Sequence, residues 1–135
     1  ETMAPSILKL AKVWTEFCRY VLMQLGSDKE YGVGFIFSKV VDAQCATRNG
    51  RVWLQLDPMR GRDGGVYKTS DERDLRTLYA LAIHECTHMA NGIDWHGDSY
   101  AAALTHNTAT CGDGFKKLKK IVGAIRMRGT AVADE

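Results

Sequence analysis

The N-terminal part of the chain carries a helical pattern of apolar side chains. Apolar positions recur there at steps of three and four residues, which places them on one face of an amphipathic helix. Pro5 suits the first turn of such a helix and Gly26 suits its end, so the pattern predicts a helix over residues 5–25. The apolar positions are Ile7, Leu10, Trp14, Phe17, Val21 and Leu25.

Three stretches that follow are typical of strands. Residues 33–41 are rich in Phe, Ile and Val, and they predict a first strand. Residues 43–48 and 51–56 flank Asn49-Gly50, a pair that favours a two-residue type I′ turn because both residues tolerate positive φ. Along residues 51–56 apolar side chains alternate with polar or mixed ones, which predicts a strand with one apolar face.

A central helix is predicted from the apolar period of residues 75–90. Thr69 or Ser70 can cap its start, and Thr69 with Glu72 three residues later fits a capping box. Asn91-Gly92 suits its C-terminal end, because glycine readily adopts the left-handed conformation that stops a helix.

The remaining segments complete the pattern of an α+β protein. Residues 59–70 contain three glycines and little periodicity, which is typical of a loop. Asp98 or Ser99 can cap a third helix, and residues 115–127 predict a fourth with its lysines outward. Because the strands are grouped apart from the helices, we expect an α+β fold with a small antiparallel or mixed sheet.

Length and composition indicate one ordinary globular unit. The 135 residues are 45% hydrophobic and 25% charged, so we expect a single domain over residues 1–135, which can be a part of a longer protein. No apolar run approaches the length of a membrane helix, and the first residues do not resemble a signal peptide. The four cysteines form no C-x-x-C pair, so we expect them to be reduced, in a cytoplasmic protein without membrane contact; disulfide pairing is the alternative.

The central helix contains the candidate chemistry. Residues His84 to His88 read H-E-x-x-H, which puts two imidazoles one turn apart on one helix face. That spacing lets them bind one Zn²⁺, with Glu85 next to a metal-bound water. A catalytic zinc site needs a third protein ligand. His96, eight residues past His88 and just beyond the Asn91-Gly92 break, is a candidate because the chain can turn back there.

These residues carry a family resemblance. The motif His84–His88, followed after a short spacer by His96-Gly97-x-x-Tyr100, resembles the pattern of SprT-like and related zincin-like metallopeptidases. Similar short metallopeptidase-like domains occur in phage and mobile-element proteins. The resemblance covers residues 70–108, and it implies a zincin-like fold in which the active-site helix is joined by additional packing helices.

The resemblance also assigns roles to single residues. It implies that His84, His88 and His96 are the metal ligands, that Glu85 is the catalytic base, and that the strand at residues 51–56 edges the substrate cleft. The expected function is therefore that of a zinc metallopeptidase, a hydrolase that acts on a protein or peptide. An extended peptide can add to the edge of the hairpin through main-chain hydrogen bonds.

Other residues near the motif have alternative roles. Asp94 lies six residues after His88, where the metzincin-type pattern has its third ligand, but that pattern requires glycine at the position of Asn91. Asp94 or Asp98 can instead orient a ligating imidazole from outside the coordination sphere. His106 is expected on a polar face of the next helix, or near a ligating imidazole but outside the coordination sphere.

A second hydrogen-bond donor for the developing oxyanion is usual in such sites. Tyr100, Tyr67 or a basic side chain can serve as this donor, and Tyr100 has packing in the core as its alternative role. In the expected mechanism Glu85 accepts a proton from the attacking water and passes it to the leaving amine.

The charge distribution supports a second interpretation of the function. Net charge is only +2, but residues 114–129 carry six basic side chains and no acidic one. They form either a solvated helix face or a patch that meets nucleic acid. The alternative to an enzyme is a catalytically silent, zinc-stabilised recognition module of a larger protein, which can dock on nucleic acid through this helix. The basic residues are Lys116, Lys117, Lys119, Lys120, Arg126 and Arg128.

Overall fold

The computed structural model describes residues 5–38 and 40–125 of the chain. One helix precedes the strands and three helices follow them within this part of the chain. The elements are α1 (Pro5–Gln24), β1 (Tyr31–Phe35), β2 (Ala43–Arg48), β3 (Arg51–Leu56), α2 (Glu72–Asn91), α3 (Asp98–Cys111) and α4 (Gly114–Ala124).

The three strands form one mixed sheet in the order β1-β3-β2. β1 runs parallel to β3, and β2 runs antiparallel to it. This confirms the α+β class and the small mixed sheet. Residues 51–56 were expected to edge the cleft, and Val52 of β3 does line it, but β3 pairs on both sides and the open strand of the hairpin is β2.

The hairpin turn is the one that the sequence predicts. Asn49 and Gly50 both have positive φ, at 53° and 76°, and they join paired residues Arg48 and Arg51. The first strand is different, since it starts at Tyr31 and ends at Phe35 and does not extend over residues 33–41.

Hydrogen bonds to a buried carboxylate explain why the first strand ends early. Asp57, 2% exposed, accepts hydrogen bonds from the backbone N–H of Ser38 at 3.1 Å and of Met59 at 3.0 Å. Arg60 donates to the carbonyl of Ser38 at 2.9 Å. These contacts hold the chain in a loop after β1, because the amide of Ser38 bonds to a side chain and not to a strand.

The core lies between α1, α2 and the sheet. The indole N–H of Trp14 donates to the carbonyl of Leu54 at 3.1 Å, which ties α1 to the central strand. Cys18 and Cys86 are fully buried where α1 packs on α2, and all four cysteines are free thiols. Among the described helices, none combines the length and the apolar character needed to cross a membrane.

The central helix has a different N-terminal cap from the predicted one. The side chain of Asp71 accepts from the backbone N–H of Arg73 and Asp74, whereas Glu72 pairs with Arg76 at 2.9 Å. The expected Thr69 capping box is therefore wrong, because Asp71 stands next to the helix and its carboxylate reaches the free amides first.

The other helix boundaries follow the predictions in part. Gly92, with φ 64°, ends α2 in the left-handed conformation, as expected. Gly97 precedes α3 without a side-chain cap, so Asp98 is the first helical residue and not the cap. α4 ends at Ala124, and residues 126–127 of the predicted helix lie outside the described part of the chain.

The glycine-rich loop at residues 59–70 packs at the far end of α2. The buried carboxylate of Asp74 accepts from the backbone N–H of Arg62 at 2.9 Å and of Lys68 at 2.8 Å. Because Glu72 and His84 are twelve residues apart, the start of α2 lies about 18 Å along the helix from His84. This distance separates the loop from the candidate metal motif.

A glycine on β1 gives a direct test of the sheet register. Gly32 pairs with Trp53, and a Cβ atom at position 32 would lie 2.5 Å from the indole ring. We expect Gly32→Ala to lower the free energy of unfolding by about 1–3 kcal/mol, since the ring must move. Gly34→Ala is the matched control, because no heavy atom lies within 4 Å of its Cβ position. Equal urea midpoints for the two variants would contradict this register.

Candidate metal centre

Three histidines converge at one point beside α2. His84 and His88 lie one turn apart on the helix, and His96 follows in the segment after Gly92. The Nε2 atom of His96 lies 3.1 Å from Nε2 of His84 and 2.9 Å from Nε2 of His88. Among the described residues, these three form the one group of His, Cys, Asp or Glu side chains close enough to hold a metal ion.

The spacing of the three nitrogens suits a tetrahedral metal ion. Zinc–imidazole bonds of about 2.0–2.1 Å place two ligand nitrogens about 3.3 Å apart in a tetrahedral site. The observed separations are slightly shorter, so a small outward shift of the rings accommodates an ion. His96 is exposed and the other two are half-buried, which leaves a fourth position open towards solvent.

The turn after α2 orients one of these imidazoles. The backbone N–H groups of Gly92 and Ile93 both bond to the carbonyl of His88. The chain reversal brings the carbonyl of Ile93 to 2.6 Å from Nδ1 of His88. A proton on Nδ1 donated to this carbonyl leaves the lone pair of Nε2 directed at the metal position.

The orienting contact is thus a backbone carbonyl and not a carboxylate. Asp94 is exposed and lines the adjacent cleft, but its carboxylate is not part of the close group of ligand atoms. Asp98 is exposed at the start of α3, and His106 is exposed further along that helix. The structure therefore brings His96, and not Asp94, to the two helical histidines.

The pKa of His84 favours the neutral form that a metal ligand must have. Burial lowers this pKa below its usual value, and the neighbouring His88 and His96 lower it further. The imidazole is therefore neutral and available as a ligand at neutral pH.

Tyr100 packs under the histidines. Its ring stacks on that of His88 with centroids 4.3 Å apart, and its hydroxyl donates to the carbonyl of His84 at 2.7 Å. Tyr100 is 2% exposed and does not line the cleft, so it packs in the core, as its alternative role predicts. Its hydroxyl proton is already donated to α2. Tyr67, the other tyrosine considered as an oxyanion donor, is also 2% exposed and belongs to the core.

Glu85 lies beside the point where the histidines meet. Its carboxylate oxygen Oε2 is 3.9 Å from Nε2 of His84, and the side chain is 7% exposed. Burial raises the pKa of Glu85 to about 7, although the backbone N–H of Cys45 donates to the carboxylate and acts in the opposite direction. A carboxyl group with a pKa near neutrality can both accept and release a proton at physiological pH.

A cleft of about 840 Å³ opens in front of the triad and Glu85. Strand β2 forms one wall and α2 the other. The register pairs Cys45 with Leu54, and hydrogen-bonded and non-hydrogen-bonded pairs alternate along an antiparallel ladder. From the turn pair Arg48–Arg51 this alternation directs the N–H and C=O groups of Ala43, Cys45 and Thr47 to the open edge. The Cys45 N–H that reaches Glu85 agrees with this assignment.

Sequence reasoning missed the cleft residues outside the motif. Lys29, Cys45 and Asp42 line the cleft but come from a loop, a strand and a connection with no motif of their own. The hairpin signal was sufficient to find β2. It did not show which arm is open, because that depends on the distant strand β1.

The basic residues of α4 are on the surface. Lys116, Lys117, Lys119 and Lys120 are exposed, while the apolar side of α4 is buried. Lys119 forms an ion pair with Glu72 of α2. Arg126 and Arg128 lie outside the described residues. The helix face agrees with the prediction, and binding of nucleic acid stays a prediction.

A buried amide next to the metal helix provides a second stability test. The side-chain NH₂ of Asn107 on α3 donates to Thr87 Oγ1 and to Asn91 Oδ1, both at 3.0 Å. We expect Asn107→Ala to cost about 1–3 kcal/mol of unfolding free energy, because it leaves a cavity and unpaired polar atoms. Thr105→Ala, at an exposed site on the same helix, is the control. The same Tm for both variants would show that this network does not hold α3 on α2.

Comparison of the chain with protein-family models, with curated proteins and with solved structures found no match.

Proposed function

We propose that this chain is a zinc-dependent metallopeptidase with a zincin-like site. The observation that carries the proposal is the place of Glu85. Its carboxylate lies 3.9 Å from the metal-facing nitrogen of His84, in the cleft where a water and a substrate carbonyl can enter. A purely structural metal site does not require a carboxylate beside its open position.

Zinc suits this set of ligands. Three neutral imidazoles with one open position are typical of catalytic zinc, whereas structural zinc sites are closed by four protein ligands. We therefore assign His84, His88 and His96 as the ligands. When bound, zinc lowers the pKa of a coordinated water from about 16 towards about 7 and polarises a carbonyl oxygen.

The chain's own residues supply the proton transfers. Glu85 accepts a proton from the water that attacks the carbonyl, and it then gives this proton to the leaving amine. The N–H of Cys45 holds the carboxylate in place. Tyr100 acts as a positioning residue, since it stacks on His88 and bonds to the backbone of His84.

The open edge of β2 supports a peptide as the substrate. Main-chain groups of Ala43 and Thr47 point away from β3, and the same strand lines the cleft. An extended peptide can form backbone hydrogen bonds to such an edge, with its side chains alternating between the two sides. This pairing would pass the peptide in front of Glu85.

The resemblance to SprT-like metallopeptidases fits this proposal but rests on the short motifs His84–His88 and His96-Gly97-x-x-Tyr100. The free state of the four cysteines agrees with a cytoplasmic location, which is part of the proposal.

One observation favours a second candidate function. The triad joins the end of α2 to the segment before α3, so a bound ion would tie these helices together. In this alternative, zinc stabilises a recognition module that has no catalytic activity. A large increase in Tm on addition of zinc, with no hydrolysis of any peptide tested, would favour it.

The proposal is tested by measuring zinc content and peptide hydrolysis on the same preparation. We expect about one zinc per chain by plasma mass spectrometry, and cleavage of a denatured protein or peptide mixture that chelation stops and added zinc restores. Cleavage that persists after the metal is removed would contradict the proposed mechanism.

A further inference from the structure

We propose that Lys29 is a specificity residue that binds a carboxylate of the peptide substrate in the metal cleft. This inference rests on the proposed peptidase function. It adds a substrate class, peptides that present a carboxylate near the bond to be cleaved.

The position of Lys29 fixes its ammonium group near the triad. Lys29 lies in the loop between α1 and β1, and it lines the same cleft as the three histidines. Its Nζ donates to the carbonyl of Met89 at 2.9 Å, and Met89 directly follows His88 on α2. The ammonium is thereby held at the negative end of the helix dipole.

The ammonium of Lys29 shares this cleft with the open strand, because Ala43, Cys45 and Thr47 of β2 also line it. A peptide lying along the β2 edge would pass within reach of this charge.

The charges around the cleft give Lys29 a distinct role. Among the described residues that line the cleft, it is the one Lys or Arg side chain, beside the carboxylates of Asp42, Glu85 and Asp94. Asp42 forms an ion pair at 3.4 Å with Arg60, which does not line the cleft. A substrate carboxylate is attracted at Lys29 and is not attracted elsewhere along this lining.

The ammonium of Lys29 has capacity for a further partner. It carries three N–H donors, and in the described part of the chain its hydrogen bond is the one to Met89. None of the ion pairs in that part of the chain involves Lys29. A carboxylate on an acidic side chain or at the C-terminus of a peptide would form a charge-assisted hydrogen bond with the remaining donors.

A merely structural role for Lys29 is the alternative to be excluded. A lysine that only caps the carbonyls of α2 would affect the stability of the protein, and its loss would weaken the binding of all peptides equally. A lysine that binds substrate would affect charged peptides selectively. Lys29→Met removes the charge and keeps the stem, Lys29→Arg keeps the charge, and Lys116→Met on α4 is a control of equal charge change.

The experiment compares matched peptides on metal-free and zinc-loaded protein. The peptides carry Glu or Gln at each position in turn, with a free or an amidated C-terminus. On metal-free protein, where no ion attracts carboxylates, calorimetry at low salt should show about 3- to 10-fold tighter binding of the best Glu or free-carboxylate peptide. On zinc-loaded protein the same preference should appear in KM, with kcat nearly unchanged.

We expect the preference to disappear in Lys29→Met, to persist in Lys29→Arg and Lys116→Met, and to weaken as salt rises. A preference for Glu over Gln at one position identifies a side-chain carboxylate as the group that Lys29 binds. A preference for the free over the amidated C-terminus identifies the terminal carboxylate. Equal binding of charged and neutral peptides, no binding of either, or a preference that Lys29→Met retains would each overturn the inference. Cleavage of neutral peptides in those cases would still support the proposed function, whereas absence of all cleavage would contradict that function separately.

Discussion

Replacement of Glu85 by glutamine is expected to leave the zinc content unchanged and to lower kcat for peptide hydrolysis by about 100- to 10,000-fold. The amide has nearly the same shape as the carboxylate but cannot accept a proton from water. Because Glu85 is not one of the three converging ligands, its loss should not release the ion. Zinc per chain and steady-state hydrolysis of one peptide, measured on the same preparations, give the result.

The control for this variant is Glu30→Gln, which makes the same chemical change at an exposed position after α1. It should keep both the zinc and the activity. Full activity in Glu85→Gln would exclude Glu85 as the base and remove the main support for the peptidase proposal. Loss of zinc in Glu85→Gln would show that the carboxylate helps to hold the ion, and the activity of that variant would then say nothing about proton transfer.

The local parts of the fold were predictable because their signals lie within short stretches of sequence. The amphipathic period after Pro5, the Asn49-Gly50 turn and the stop at Gly92 each act through the backbone conformation of a few residues. Helix caps were harder. Asp71 and Thr69 both suit a cap, and only the position of the helix start decides between them.

The non-local parts could not be derived in the same way. β1 pairs with β3 across the hairpin sequence, so which strand stays open at the cleft depends on a contact between distant segments. The end of β1 depends in turn on Asp57, nineteen residues after Ser38, which takes the amide of Ser38. No local pattern contains either contact.

The candidate site likewise has one part that a local pattern predicts and one part that depends on the path of the chain. His84, Glu85 and His88 follow from the period of one helix, since the sequence is sufficient to place the two histidines on one face and Glu85 next to them. The choice between His96 and Asp94 required the path of the chain after Gly92. That path puts the imidazole of His96 at the triad and leaves Asp94 at the exposed rim of the cleft.

A large loss of zinc affinity is therefore expected when His96 is replaced. His96→Ala should lower zinc affinity by at least about 100-fold, because even partners outside the coordination sphere of a metal cost about 10- to 100-fold when they are removed. Asp94→Ala should keep about one zinc per chain. Competition with a chromogenic chelator measures both affinities. Thermal unfolding gives an independent measure, since an ion present at 100 times its Kd stabilises the folded state by about 2.7 kcal/mol.

In this second test Asp94→Ala serves as the matched control, because both residues follow the same turn and only one of them reaches the triad. A zinc-dependent rise in Tm should be seen for the wild type and for Asp94→Ala, and should be lost in His96→Ala. If Asp94→Ala loses the ion while His96→Ala retains it, the carboxylate is the third ligand. The turn after Gly92 must then change its path when the metal binds, since Asp94 lies outside the close group in the structure. If both variants retain zinc with unchanged affinity, His84 and His88 hold it without either residue, and the three-histidine centre is wrong.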